Sequence, residues 1–262
     1  MQDRGLAAYI AELIGTLFLV MAVCTVVSLY LSTSPQSQTG SDFAVIGLVH
    51  AFVLFLLIVA FGAASGGHFN PAVTLAAWAS RRIDPVDAVV YVLAQLSGAV
   101  LGALLVKGIL LDEGRASDYG AAKISPLLGG SFPAFVVEAL GTFLLVLAVC
   151  AIAFNPRARQ EWAPLAIGTT LGFGVMIFGP LTGGSFNPAR WFGPALIGDA
   201  FGDFSDIWPY LAGPIVGALL AFGIYRYVIA GPQYALGAEP PTTDVRGAAQ
   251  ALKDVGVRER SD

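Results

Sequence analysis

Charge is scarce in this chain. Lys, Arg, Asp and Glu make up 12% of its 262 residues, about half the share of an ordinary soluble domain. There are only two histidines and two cysteines, and no His, Cys and acidic residues group at metal-ligand or nucleophile–base spacing. An enzyme would lack its nucleophile, metal cluster or acid–base pair, and no cofactor or metal is expected. A net charge of −4 comes without a basic patch, so nucleic acid is not an expected partner. Cys24 and Cys150 lie inside apolar runs and read as small buried residues. What the chain has in abundance is apolar surface. It is 56% hydrophobic, with a mean hydropathy of +0.74, which points to an integral membrane protein.

Six stretches, roughly 7–31, 43–63, 88–111, 132–154, 163–181 and 208–229, are long and apolar enough to span a bilayer. The first is too long for the core of a cleaved signal peptide, and no small-residue cleavage site follows it. Arg4, Arg81, Arg82, Arg157, Arg159 and Arg226 flank the spans on one face. The opposite loops, near 32–42, 112–131 and 198–207, carry only Arg115 and Lys123 between them. The positive-inside rule then puts both termini in the cytoplasm of a multi-pass protein, expected in the plasma (cell inner) membrane. Residues 231–262 are polar, with Pro240 and Pro241, and read as a cytoplasmic tail after a channel domain over 1–230.

The second half repeats the first. Glu12, Gly15, Thr16 and Cys24 recur as Glu138, Gly141, Thr142 and Cys150. LSGAVLGALL in span three recurs as LAGPIVGALL in span six. Between the spans, SGGHFNPAVT and TGGSFNPARW each carry Asn-Pro-Ala: Asn70, Pro71 and Ala72, then Asn187, Pro188 and Ala189. The apolar residues after each tripeptide suffice for only half a crossing. The unit, about 7–111 and again 132–229, is three spans plus one half-helix. Three is odd, so the second copy enters the membrane inverted and the half-helices meet near the midplane.

Asn is a favoured helix cap and Pro a favoured first helical residue. Each tripeptide therefore reads as a helix start within the bilayer. The lead-ins are non-helical and must be buried in protein or line a wet cavity. Their carbonyls, from Gly66, Gly67, His68 and Phe69 and from Gly183 and Ser185, would form acceptor ladders along that cavity. Capping uses each Asn oxygen and leaves the amide NH2 to donate to a central water. The positive helix ends repel cations and hydronium there. Arg190 is too costly to leave in lipid, which makes it a pore-facing donor. Glu12 and Glu138 read as braces accepting backbone N–H groups from the loops.

The paired tripeptides, the AEL.GT and VEALGT openings and the NPARWFGPA stretch together resemble the aquaporin and glycerol-facilitator family (major intrinsic proteins), over about 1–230. The resemblance implies an all-α membrane fold of six transmembrane helices and two re-entrant half-helices, assembled as a homotetramer in membrane lipid with one pore per subunit. It also implies a selectivity filter of His50, Val175, Gly184 and Arg190. That combination is similar to the vacuolar-membrane aquaporins of plants. Val and Gly remove bulk while His and Arg keep donors on the wall. The expected activity is a passive channel for water and small neutral solutes (ammonia, urea, hydrogen peroxide) that excludes protons and ions. A glycerol or polyol facilitator is the nearest alternative. A secondary transporter would need a coupling-ion site, and a non-conducting scaffold of the same fold would show no flux. Trp191 departs from the Ser or Asp usual after the filter Arg, and Tyr210 and Leu211 point in different directions. With Gly184 where a cysteine would confer sensitivity, mercury is expected to block weakly.

Overall fold

The computed structural model describes residues 5–32 and 41–230. Its long helices are α1 (Gly5–Ser32), α2 (Ser41–Ser65), α4 (Pro85–Ile109), α6 (Ser131–Ala148), α7 (Ala163–Thr182) and α9 (Phe204–Ile224). Single π-helical turns, Val149–Ala153 and Tyr225–Ile229, extend α6 and α9. These six helices are long and apolar enough to cross a membrane. Two short ones, α3 (Pro71–Ala79) and α8 (Pro188–Ile197), have 9 and 10 residues. At 1.5 Å per residue they reach about 15 Å, half of a hydrocarbon core. A further short helix, α5 (Leu111–Ala116), and a 3₁₀ turn at Asp118–Gly120 lead into the loop before α6. No strand occurs among the described residues. The tail at 231–262, Arg4 and most of the loop after α1 lie outside them.

Packing follows the repeat. α1 lies on α4, α6 on α9, and α2 on α7. Each contact is close enough to need glycine. A Cβ on Gly98 would come within 2.3 Å of the Leu13 carbonyl, and one on Gly217 within 2.1 Å of the Ala139 carbonyl. Lipid is as apolar as a leucine side chain, so close backbone contact and dispersion hold such helices together. Between α2 and α7 the approach is reciprocal. A Cβ on Gly172 would meet the Gly47 carbonyl at 2.4 Å, and one on Gly47 the Gly172 carbonyl at 2.7 Å. Reciprocity of this kind marks a pseudo-two-fold axis passing through the pair.

Candidate functional site: two re-entrant turns and a polar cavity

Each half-helix begins as its sequence dictates. Asn70 and Asn187 are extended caps, and their side-chain oxygens accept from Ala72 N (2.9 Å) and from Ala189 N and Arg190 N (3.0 and 3.2 Å). The amide groups donate across the axis: Asn70 Nδ2 to the Phe186 carbonyl at 2.9 Å, and Asn187 Nδ2 to the Phe69 carbonyl at 2.8 Å. One amide hydrogen on each Asn is thus spent tying the two loops together. The other is left to face the cavity that both residues line.

The lead-in backbones need their glycines. Gly66, Gly67, Gly183 and Gly184 have φ of 91°, 65°, 77° and 57°, a region that side chains disfavour. Phe69 and Phe186 sit there too, at φ 48° and 50°, although they have side chains. Two arrangements hold them. Their rings fill the space beside Gly15 and Gly141, where a Cβ would come within 2.1 Å of a ring carbon in each case. Their N–H groups are gripped by the buried acids. Glu12 accepts from Ser65 Oγ (2.7 Å), His68 N (2.9 Å), Phe69 N (2.7 Å) and Gln95 Nε2 (2.8 Å). Glu138 accepts from Thr182 Oγ1 (2.7 Å), Ser185 N (3.0 Å) and Phe186 N (2.7 Å).

The carbonyls at the outer ends of both lead-ins are taken by tyrosines, Tyr91 Oη to Ser65 O and Tyr210 Oη to Thr182 O, each at 2.8 Å. Gly66, Gly67, His68, Phe69 and Ser185 line an inner cavity of about 80 Å³ together with Asn70, Asn187, His50 and Arg190. That is well above the roughly 10–15 Å³ that one water needs. Its remaining wall is apolar, including Val23, Leu54, Leu145, Val149 and Ile167. Gly183 lines a second, outer cavity of about 480 Å³, and Arg190 lines both.

Arg190 therefore stands between the two spaces, 2% exposed. Its Nη1 donates to the Gly120 carbonyl at 3.1 Å, while its Nε has no hydrogen-bond partner among the described residues. His50 is fixed through Nδ1 to the Ile46 carbonyl at 2.8 Å, which leaves Nε2 without a protein partner among the described residues. With Nδ1–H given to that carbonyl, Nε2 of the neutral ring is an acceptor, and a buried donor or acceptor without a partner costs about 1–3 kcal/mol unless something mobile satisfies it. Val175 and Gly184 adjoin each other, since a Cβ on Gly184 would lie 3.3 Å from Val175 Cγ2. Neither contributes to the wall of either cavity. His68 turns its ring away from duty at the centre: Nδ1 is 3.1 Å from Thr74 Oγ1, and the ring packs edge-on against Tyr91.

Sequence reasoning passed over several of these residues. Ser65 and Thr182 are hydroxyls at the same spacing as the two Asn, a signal the sequence does hold. Gln95 and Thr74, which complete the first brace, have no counterpart in the second half. Gly120, which holds Arg190 from 70 residues away, leaves no trace in the local sequence.

Comparison with known proteins agrees with this architecture. The family model described as Major intrinsic protein matches residues 2–225. Nodulin-26 of Glycine max is 38% identical over 219 residues, covering 84% of this chain and 76% of the relative. Glycerol uptake facilitator protein-like 6 of Lactiplantibacillus plantarum is 38% identical over 213 residues, 81% and 94% of the two chains. A protein described as probable aquaporin TIP2-2 of Oryza sativa subsp. japonica is 38% identical over 230 residues, 86% and 88%. Among solved structures, the aquaglyceroporin from Plasmodium falciparum superposes with a TM-score of 0.73 at 23% identity, over 85% of this chain and 96% of that one, a likeness of fold.

Proposed function

The chain belongs to the major intrinsic protein family, and from that premise we propose how its pore selects. It is an integral, multi-pass membrane channel for water and small solutes, and not an enzyme. In our reading, permeating molecules cross at Arg190, pass His50 and the two Asn amides, and leave through the apolar inner half. The observation that carries this is the pair of uncommitted polar atoms, the donor Arg190 Nε and the acceptor His50 Nε2, on the wall of one cavity with Asn70 and Asn187. A file of neutral molecules satisfies that donor and that acceptor in passing. A cation meets a fixed guanidinium and two positive helix ends instead.

Small side chains at Val175 and Gly184 leave a filter wide enough for ammonia, urea or hydrogen peroxide beside water. The loop-bracing role of Glu12 and Glu138 belongs to the same reading, as do a homotetrameric assembly, cytoplasmic termini and the plasma membrane as location. A glycerol facilitator is the second reading, favoured by the likeness to a glycerol uptake facilitator protein. Facing aromatics that would receive a carbon backbone are absent from the four filter positions.

Stopped-flow light scattering on proteoliposomes tests both. Shrinkage in a sucrose gradient should be faster than in empty liposomes, and re-swelling in a urea gradient faster than in a glycerol gradient. Water flux equal to empty liposomes would remove the channel reading. Glycerol flux exceeding urea flux would install the second one.

A further inference from the structure

The wall of the inner cavity steps down α6 one turn at a time, through Leu145, Val149 and Ala153, and ends on Phe154. α6 begins just after the segment 121–127 of the outer cavity and runs roughly 30 Å to this point. Phe154 therefore stands at the end of the cavity away from Arg190. Its place depends on the π-helical turn that closes α6. In an unbroken α-helix the fifth residue after Val149 would lie about 140° around the axis from it. Here Phe154 N donates to the Val149 carbonyl at 3.0 Å, the i→i+5 bond of a π turn, and Phe154 comes nearly under Val149. Phe154 is not packed on every side, since a second space of about 30 Å³, bordered by Cys150, Tyr225 and Arg226, also lies against it. Arg82, from the loop after the first half-helix, grips it. Arg82 Nη2 donates to the Phe154 carbonyl, and the guanidinium lies over the Phe154 ring, 4.5 Å from the centroid. Arg82 is itself tied to α3, its N–H donating to the Ala77 carbonyl at 2.9 Å. At the other end of the cavity, Arg190 takes the Gly120 carbonyl in the same manner.

We propose that Phe154 is a second size restriction of the pore, at the end away from the filter, and that Arg82 is the residue that positions it. The inference rests on the reading of this cavity as the pore. On that reading the filter is small-sided at Val175 and Gly184, which leaves a later step to discriminate by size. Two phenylalanines adjoin the cavity. The ring of Phe69 is seated on Gly15, so Phe154 is the large apolar side chain left to narrow the path. An arginine suits the positioning task. Its planar fork donates to a carbonyl and stacks on a ring at once, which the point charge of a lysine does not match. Without that grip the ring is free to move toward the 30 Å³ space, and the end of the pore widens.

Stopped-flow fluxes of the full chain in proteoliposomes test this, read as the ratio of glycerol to water flux. A channel that is merely destabilised loses both fluxes together, so a raised ratio reports on size selection. Phe154→Ala should raise the ratio by about threefold or more, and Arg82→Gln by about twofold. The double variant should not exceed Phe154→Ala alone, since without the ring there is nothing left to position. Arg82→Lys, which keeps the charge without the fork, should lie between the parent and Arg82→Gln, and stands in if Arg82→Gln does not fold. An unchanged ratio in Phe154→Ala would overturn the restriction. A parent-like ratio in Arg82→Gln or Arg82→Lys, or a double variant that adds the full Arg82→Gln factor to Phe154→Ala, would overturn the positioning role. Water flux of the parent equal to that of empty liposomes would instead remove the pore reading, so the two failures are distinguishable.

Discussion

The two loop sites are built to one plan at the centre and to different plans at the edge. Around each Asn the parts correspond: a carboxylate, a hydroxyl, two glycines at positive φ, and a Phe ring seated on a helix glycine. Beyond that ring of parts the halves diverge. In the first, Gln95 and Thr74 extend the Glu12 brace into a polar network, with Gln95 Nε2 reaching Thr74 Oγ1 at 2.9 Å. In the second, the places opposite are filled by stacked aromatics, Tyr210 and Trp191, and the polar function shifts to Arg190. Even the tyrosines that cap the two lead-ins come from different places, since Tyr91 and Tyr210 lie a helical turn apart in repeat register. The symmetric part makes a rigid midpoint at which both halves donate alike. The asymmetric part leaves one end of the cavity polar, around Arg190, and the other apolar.

The largest effects should come from breaking the symmetric part. Gly15→Ala and Gly141→Ala each put a methyl into a buried ring, and Glu12→Ala and Glu138→Ala each orphan two buried backbone N–H groups at about 1–3 kcal/mol apiece. All four should lower the thermal midpoint in detergent and remove most water flux, and members of each pair should be equally affected. A pair whose shifts differ more than twofold would break the proposed equivalence. Next comes the filter. The double variant His50→Phe, Val175→His should lose urea flux at least tenfold while keeping water flux within about threefold, since bulk at the constriction excludes the larger solute first. Loss of water before urea would move selectivity away from these residues.

A smaller effect is expected where only one half has a part. Gln95→Leu removes hydrogen bonds to Glu12 and Thr74 and should cost about 1–2 kcal/mol, seen as a lower thermal midpoint with the Asn187 side intact. The smallest concerns Asp84, a partly exposed cap of α4 that accepts from Val86 N and Asp87 N at 2.9 and 3.0 Å. The bond from the Asp87 backbone chiefly holds its carboxyl below the ordinary Asp value. A lowered folded-state pKa stabilises above the unfolded value and is lost as pH falls through the folded one. The gap in thermal midpoint between the parent and Asp84→Ala should therefore be open at neutral pH and close below about pH 4. A gap that persists in acid would mean the cap acts without its charge.

Much of the fold was legible because lipid imposes a simple rule: every long apolar run must become a helix that satisfies its own backbone. The caps were legible because Asn and Pro act on the residues next to them. The pairing of each acid with its loop followed from the repeat and from the cost of an unpartnered buried carboxylate. The cross-ties from Asn70 to Phe186 and from Asn187 to Phe69 were not, since nothing local records which carbonyl will lie opposite. The same holds for the seat that Gly15 and Gly141 offer the Phe rings, which is a matter of shape between distant segments. By itself the sequence determined a six-span, twice-repeated chain with two polar helix starts in the membrane, because hydrophobicity and capping are one-dimensional signals. Only the tertiary structure decided that Gly120 holds Arg190 and that one amide hydrogen of each Asn is already spent. Those contacts join residues tens of positions apart, and distance in space is not written along the chain.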